Sequence, residues 1–333
     1  MDRLTPARLA EILERAREVR VLVVGDAMLD VYLSGSASRV SPEAPVPVVR
    51  VVEEWHAVGG AANVAANVAA LGARCELVGC IGKDRAGEQL SAELAALGVD
   101  GRGIWRSSQR PTTVKTRVLV RRYQVARYDR EEEADVNGEC AEALVGAVER
   151  LGREADAIVL EDYNKGVLVP EVIAAALDLG RRRGIPVVVD PKSRHFFDYG
   201  GATVFKPNAS ELAAALGEPP RVDDPEWMED TRTRLACSHL LVTLGEDGMA
   251  LRTAEGEYVR VPAVARAVYD VSGAGDTVTA AIAVALAAGA GVVEAAVLAN
   301  HAAGIEVGKA GVATVTAAEL AEAVRQHHAS VKA

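Results

Sequence analysis

Apolar and polar positions change period repeatedly along the chain, and each change marks an element. The stretch VRVLVVGDAMLD (19–30) is almost continuously apolar, which predicts a strand buried on both faces. APVPVVRVVEEWHAV (44–58) alternates poorly and carries prolines, so it suits an edge strand or a small peripheral sheet. GGAANVAANVAALG (59–72) predicts a short helix opened by Gly59 and Gly60 and stopped by Gly72. Strand CELVGCIG and helix DRAGEQLSAELAALG follow. From Thr112 to Arg130 the sequence TTVKTRVLVRRYQVARYDR is β-branched and alternating, which predicts one long strand with a wet face. Beyond it strands and helices alternate: DAIVLED before PEVIAAALDLGRRRG, PVVVDP before ATVFKPN and ASELAAALG, then HLLVTLGEDG and a hairpin, MALRTAEGEYVRVP. Three helical segments close the chain, from Ala274, Val293 and Thr316.

Such alternation implies an α/β fold, a mostly parallel sheet with helices on both faces. The strands near 31–52 and 110–130 fall outside it and are expected to form a small lid sheet. One domain over 1–333 is the expected organisation.

Composition narrows the function. The net charge of −10 argues against a nucleic-acid partner. The longest apolar run, 280–293, is too short to span a membrane. MDRLTPARLAEILERAREVR reads as an amphipathic helix and not a signal peptide, so a cytoplasmic location is expected. Cys75, Cys80, Cys140 and Cys237 have no metal-like spacing and read as packing residues of a reducing compartment. His327 and His328 sit in a polar tail and receive no role. Locally the charge reverses: Arg110 to Arg130 holds seven basic residues against one acid.

The candidate chemistry lies in VYDVSGAGDTVTAAIAVALAAGA (268–290). Gly273, Ala274 and Gly275 let backbone approach a ligand at a helix N-terminus, where N–H groups and the helix dipole favour an anion. Asp276 adds a carboxylate in the first turn. Neither a dinucleotide fingerprint nor a Walker loop fits. An anion cradle with a carboxylate at its lip suits phosphoryl transfer to a hydroxyl, the amides taking phosphoryl charge and Asp276 the proton. The bland reading is a favourable first-turn charge.

DVSGAGDTVTAA resembles the C-terminal signature of the ribokinase-like (PfkB) carbohydrate kinases, and GDAMLD, GGAANVAANVA, KPNASE and TLGEDG agree in order over nearly the whole chain. The resemblance implies a ribokinase-like three-layer α/β/α sandwich with a small β-sheet lid. It makes Asp276 the catalytic base and Gly273, Ala274 and Gly275 the anion hole. It puts Asp30, Gly59, Gly60 and Asn63 at sugar-binding positions, with Met28 where relatives often have Asn. Asn208 and Glu211 match a pattern that organises Mg2+ and nucleotide phosphates, and their spacing predicts one shared helix face. Thr243 and Gly245 match the phosphate and ribose region of ATP, and Asn300 falls near adenine. Asp270, Ser272 and Thr314 fall where relatives build a monovalent-cation site, which would take K+. Glu161 and Asp162 end a strand, where α/β ligands gather, and one of them is expected to face the sugar.

More narrowly, SRVSPEAPVPVV, KTRVLVRR, DPKSRHF and AAGIEVGKAGVATV are similar to the heptose-7-phosphate kinases of lipopolysaccharide precursor synthesis. That branch implies ATP-dependent phosphorylation of the C1 hydroxyl of D-glycero-β-D-manno-heptose 7-phosphate, with the later nucleotidyltransferase step expected on another protein. On an alternating strand Lys115, Arg117 and Arg121 would share one face. Basic groups there, with Arg127 or Arg130, would grip the substrate's own phosphate, a task that suits guanidinium forks. Otherwise the face is merely solvated. Rival readings are a PfkB kinase for ribose, fructose or fructose 6-phosphate, and a non-catalytic sugar-phosphate sensor. A homodimer through the lid is the expected assembly.

Overall fold

The apolar run at 19–30 does not make one strand. In the computed structural model, which describes residues 4–121, 123–264 and 268–332, it divides between two sheets. β1 (Arg20–Gly25) stops at Asp26, and β2 (Ala27–Val40) continues elsewhere. The corner is fixed by Asp26, whose carboxylate accepts the N–H groups of Tyr163 (2.8 Å), Lys165 (2.9 Å) and Val167 (3.1 Å). An N-terminal helix α1 (Pro6–Ala16) precedes β1, and residues 1–3 of the expected helix lie outside the described ones.

The remaining strands are β3 (Pro47–Gly60), β4 (Arg74–Gly82), β5 (Asp100–Ser107), β6 (Thr113–Val120), β7 (Tyr123–Arg130), β8 (Ala157–Glu161), β9 (Val187–Asp190), β10 (Val204–Phe205), β11 (His239–Thr243), β12 (Met249–Arg252) and β13 (Tyr258–Val261). The helices after α1 are α2 (Ala61–Ala70), α3 (Arg85–Ala96), α4 (Gly138–Leu151), α5 (Pro170–Arg183), α6 (Ala209–Leu216), α7 (Pro225–Arg234), α8 (Ala274–Ala287), α9 (Val292–Glu306) and α10 (Ala317–Lys332).

Nine strands form the main sheet in the order β13-β12-β11-β10-β9-β8-β1-β4-β5, parallel except where β12 and β13 turn back antiparallel at one edge. Successive residues of β1 serve opposite faces, as strand geometry requires. Val21 and Val23 join a core with α1, α2, α8, α9 and α10, whereas Leu22 and Val24 join one with α4, α5 and α7. This is the expected three-layer α/β/α sandwich. Among the described residues no helix is long and apolar enough to cross a membrane.

The second sheet has four strands, β3-β2-β6-β7, and is longer than the sequence suggested because β2 and β3 run back to the main body. Tyr32 stacks on Trp55 across the β2–β3 pair at 5.1 Å, and its hydroxyl accepts the Val312 N–H at 3.3 Å. The single strand expected over 112–130 is instead the β6–β7 hairpin. Arg121, at φ 60°, follows β6 in a turn, so it does not share a strand face with Lys115 and Arg117. Three residues lie between it and Arg117, which puts the two roughly 13 Å apart along an extended chain. His328 is also no free tail residue: it is buried, with Nε2 3.0 Å from the Leu4 carbonyl.

Candidate active site

Parallel strands end on one side of the main sheet, and the candidate residues gather there. Asp26 follows β1, Glu161 ends β8, Asp190 ends β9, Asn208 follows β10 and Thr243 ends β11. Facing them is the start of α8. Gly273 is its N-cap at φ 95°, a left-handed conformation that favours glycine. A side chain there would also come within 3.0 Å of Asn63 Nδ2 and 3.3 Å of Glu306 Oε1. Ala274, Gly275 and Asp276 form the first turn, whose N–H groups have no partner within the helix.

Asp276 is only 4% exposed. One carboxylate oxygen accepts Asn63 Nδ2 at 2.7 Å and the other accepts the Tyr163 hydroxyl at 2.7 Å. Burial raises its pKa to about 6 despite those two donors. Asn63 is held in turn, since Asn67 Nδ2 donates to its side-chain and main-chain oxygens at 3.1 Å. The base candidate is therefore oriented by α2 and by the loop that Asp26 anchors.

Beside it lies a charged cluster. Ligand oxygens of Glu161, Asp190 and Asp276 lie within 4.8 Å of one another, all three residues being buried. Lys206 Nζ sits 2.8 Å from Asp190 Oδ2. Burial opposes its charge, but Asp190 and Glu161 outweigh that and raise its pKa. Among the described residues neither Glu161 oxygen has a hydrogen-bond partner, and burial, then Asp190 and Asp276, push its carboxyl well up. Asp162 differs: it accepts Asn164 N–H at 2.7 Å and the Tyr199 hydroxyl at 2.8 Å. Of the two acids, Glu161 is the one with hydrogen-bonding capacity left.

Asp30 is buried on β2 and paired with Arg117 on β6. A Cβ at Gly59 would come 2.3 Å from Asp30 Oδ2, and one at Gly60 would come 2.4 Å from the Asp26 carbonyl. The two glycines thus make room for Asp30 and for the turn into α2. Lys115 Nζ and Lys192 Nζ stand over the Tyr163 ring, at 5.0 and 5.3 Å from its centre. Burial lowers the Lys115 pKa, as expected of an ammonium with little water around it. Arg127 is engaged with Asp129 at 2.5 Å and Arg130 lies 3.6 Å from Asp84.

Asn208 and Glu211 do not share a helix face. Asn208 is the N-cap of α6, its side chain accepting Glu211 N–H at 2.8 Å while Glu211 Oε2 accepts Asn208 N–H at 2.9 Å. The spacing is a capping box, and Glu211 also pairs with Lys192. Asn208, Thr243, Gly245, Gly275 and Asn300 nevertheless line one cleft of about 770 Å³. Asn300 donates to the Pro262 carbonyl at 2.8 Å. Asp270 accepts Ser272 N–H at 2.9 Å, but the Thr314 carbonyl accepts Lys309 Nζ at 2.7 Å. Glu306 is fully buried, and burial, then Asp270 and Asp276, raise its pKa to about 8.

Sequence reasoning missed Tyr163, Asp190, Lys192, Lys206 and Glu306. Asp190 carried a usable signal, since like Glu161 it closes an apolar strand of the alternating series. Tyr163 carried none, because its role depends on the Asp26 corner.

An open α/β sheet whose strand ends face a glycine loop and a buried carboxylate, under a second small sheet, is the arrangement that the resemblance to the ribokinase-like kinases implies. The chain belongs to the pfkB family: the description "pfkB family carbohydrate kinase" matches residues 19–319. It is 46% identical over 331 residues to the bifunctional protein HldE of Rhodospirillum rubrum, covering 98% of this chain and 66% of that one. The corresponding protein of Geobacter metallireducens is 44% identical over 308 residues, covering 92% and 63%. The chain thus spans just under two thirds of the length of these relatives. The fold is also that of Arabidopsis thaliana ribokinase complexed with ribose and ATP (TM-score 0.73, 21% identity, 92% and 99% covered). Escherichia coli phosphofructokinase-2 in complex with potassium gives a TM-score of 0.77 at 19% identity, with the same coverage. The protein is a carbohydrate kinase.

Proposed function

We propose that the chain transfers the γ-phosphoryl group of ATP to the C1 hydroxyl of D-glycero-β-D-manno-heptose 7-phosphate, giving the 1,7-bisphosphate, in the cytoplasm. The observation that carries the chemistry is Asp276, a buried carboxylate held by Asn63 and Tyr163 in the first turn of α8. In this reading Asp276 takes the C1 hydroxyl proton, and the amides of Gly273, Ala274 and Gly275 receive phosphoryl charge. Asp30, Glu161 and Asn63 orient the sugar hydroxyls between Gly59–Gly60 and the sheet. ATP occupies the cleft lined by Asn208, Thr243, Gly245 and Asn300.

Asp190, with its carboxylate within 4.8 Å of those of Glu161 and Asp276, is the oxygen donor that would hold Mg2+ there. When bound, the ion neutralises charge on the phosphates. Potassium at Asp270 and Ser272 fits in part: the buried Glu306 carboxyl adds an acidic group close to Asp270, while Lys309 already occupies the Thr314 carbonyl.

The specific acceptor rests on the relatives and on Lys115, whose half-buried ammonium stands 5.0 Å from the centre of the Tyr163 ring and suits a substrate carrying its own phosphate. Lys192, on the same ring, reinforces that charge. The test is coupled ADP release across a panel of heptose, hexose and pentose phosphates with their unphosphorylated sugars. Fastest turnover on the heptose phosphate is expected. A preference for fructose 6-phosphate or for free ribose overturns the acceptor, and binding without turnover on any sugar overturns the kinase reading in favour of a sensor.

A further inference from the structure

Two of the four cysteines are not isolated packing residues. Cys80, near the carboxyl end of β4, and Cys140, in the first turn of α4, have their sulfurs 3.7 Å apart. Cys75 and Cys237 are buried and instead lie against the Glu76 and Arg232 carbonyls at 3.8 and 3.7 Å. Cys140 is half-buried at a helix N-terminus, where the dipole favours a thiolate. The neighbouring Cys80 thiol, then the Arg110 charge, hold its pKa below the ordinary cysteine value.

The place of this pair in the fold gives it a consequence. The chain between the two cysteines makes the whole excursion to the small sheet through β6 and β7. Its outgoing root is tied to the end of β4, where Gly82 N–H donates to Thr112 Oγ1 at 2.9 Å. Arg110 joins outgoing and returning roots by donating to the Glu132 carbonyl at 2.8 Å, and it also donates to the Lys165 carbonyl at 2.6 Å. A covalent link from β4 to the start of α4 would therefore clamp the base of the hairpin that carries Lys115 and Arg117.

We propose that Cys80 and Cys140 form a modification site, a reversible intramolecular disulfide made by exchange with a small-molecule disulfide of the oxidised-glutathione class. The Cys140 thiolate attacks one sulfur of that disulfide, forming a mixed disulfide and releasing one small thiolate. Cys80 loses its proton to solvent and attacks Cys140 Sγ, releasing the second. Two protein thiols are oxidised and one small disulfide is reduced to two thiols. The sulfurs must close from 3.7 Å by roughly 1.7 Å to reach bonding distance. The link slows turnover by restraining the hairpin's movement over the substrate.

The test incubates the full chain with oxidised glutathione, maps disulfides by non-reducing digestion and mass spectrometry, and follows turnover. The expected result is one Cys80–Cys140 cross-link, a chain lighter by two hydrogens, and turnover reduced roughly threefold or more, as when a gating motion is impeded. Dithiothreitol should restore it, Cys140→Ala should not react, and Cys80→Ala should stop at a glutathione adduct on Cys140 with no cross-link. In the wild-type chain, a glutathione adduct persisting on Cys140, no cross-link, or a cross-link with unchanged turnover overturns the proposal. Because turnover is compared before and after oxidation on whichever sugar the chain phosphorylates, the result does not depend on the heptose assignment.

Discussion

Asp276 combines burial with two donors, and the balance sets its working range. A general base acts only when ionised. With a pKa raised to about 6, kcat/KM should fall as pH drops through that value and level off above it. A flat profile between pH 5 and 7 (roughly one unit either side of it) would exclude Asp276 as the titrating base. Asp276→Asn should keep ATP affinity and lose about a hundredfold or more in turnover, the scale of general-base help. The same substitution should change how stability depends on pH. The folded pKa lies above the ordinary carboxyl value of 3.8, so the native state is favoured by protonation and loses stability as pH rises from there through about 6. A neutral amide at this position carries no such cost. The melting temperature of the variant relative to wild type should therefore rise as pH goes from acid to above 6 (about the folded value), as scanning calorimetry across pH would show.

At the scale of elements, β6 and its turn separate three basic residues that sequence spacing grouped together. Lys115 faces the Tyr163 ring, and Lys115→Ala should raise the KM for a phosphorylated acceptor about ten- to a hundredfold, the value of one charge-assisted contact. The KM for ATP should not move. Arg121→Ala, at the exposed turn, should leave both constants unchanged. Arg117→Ala is a different experiment, because it strips the partner from buried Asp30 and leaves an uncompensated charge. It should lower thermal stability as well as acceptor affinity. Equal effects of Lys115→Ala and Arg121→Ala on acceptor KM would mean that strand position does not matter.

For the whole molecule, the small sheet leaves apolar side chains in water: Val52 is 73% exposed, Tyr123 71% and Val40 66%. A sheet of this size with apolar surface seldom stands alone. The expected assembly is a homodimer in which two such sheets cover each other. Light scattering should give twice the mass of the 34.9 kDa chain. Val52→Lys should shift it toward monomer, and a wild-type monomer at micromolar concentration would end the idea.

The sequence by itself determined the layers and the position of the loop. Continuous apolar strands, amphipathic helices and glycines at helix starts are local features, and local features are written in consecutive residues. It therefore located α8, Gly273 and Asp276, and it separated the strands of the second sheet from the main alternation. Tertiary structure alone decided where the chain leaves one sheet for the other. The apolar run at 19–30 has the same period through Asp26, and only the three N–H groups arriving from 163–167 make that residue a corner. The same holds for which carboxylates meet. Glu161, Asp190 and Asp276 are far apart in the chain and converge because parallel strands end on one side, while Asn208 and Glu211, read as a ligand pair, first satisfy each other across the start of α6. Spacing along a chain reports which residues can be neighbours within an element. Contacts between elements depend on how the sheet is ordered, and no residue pattern carries that.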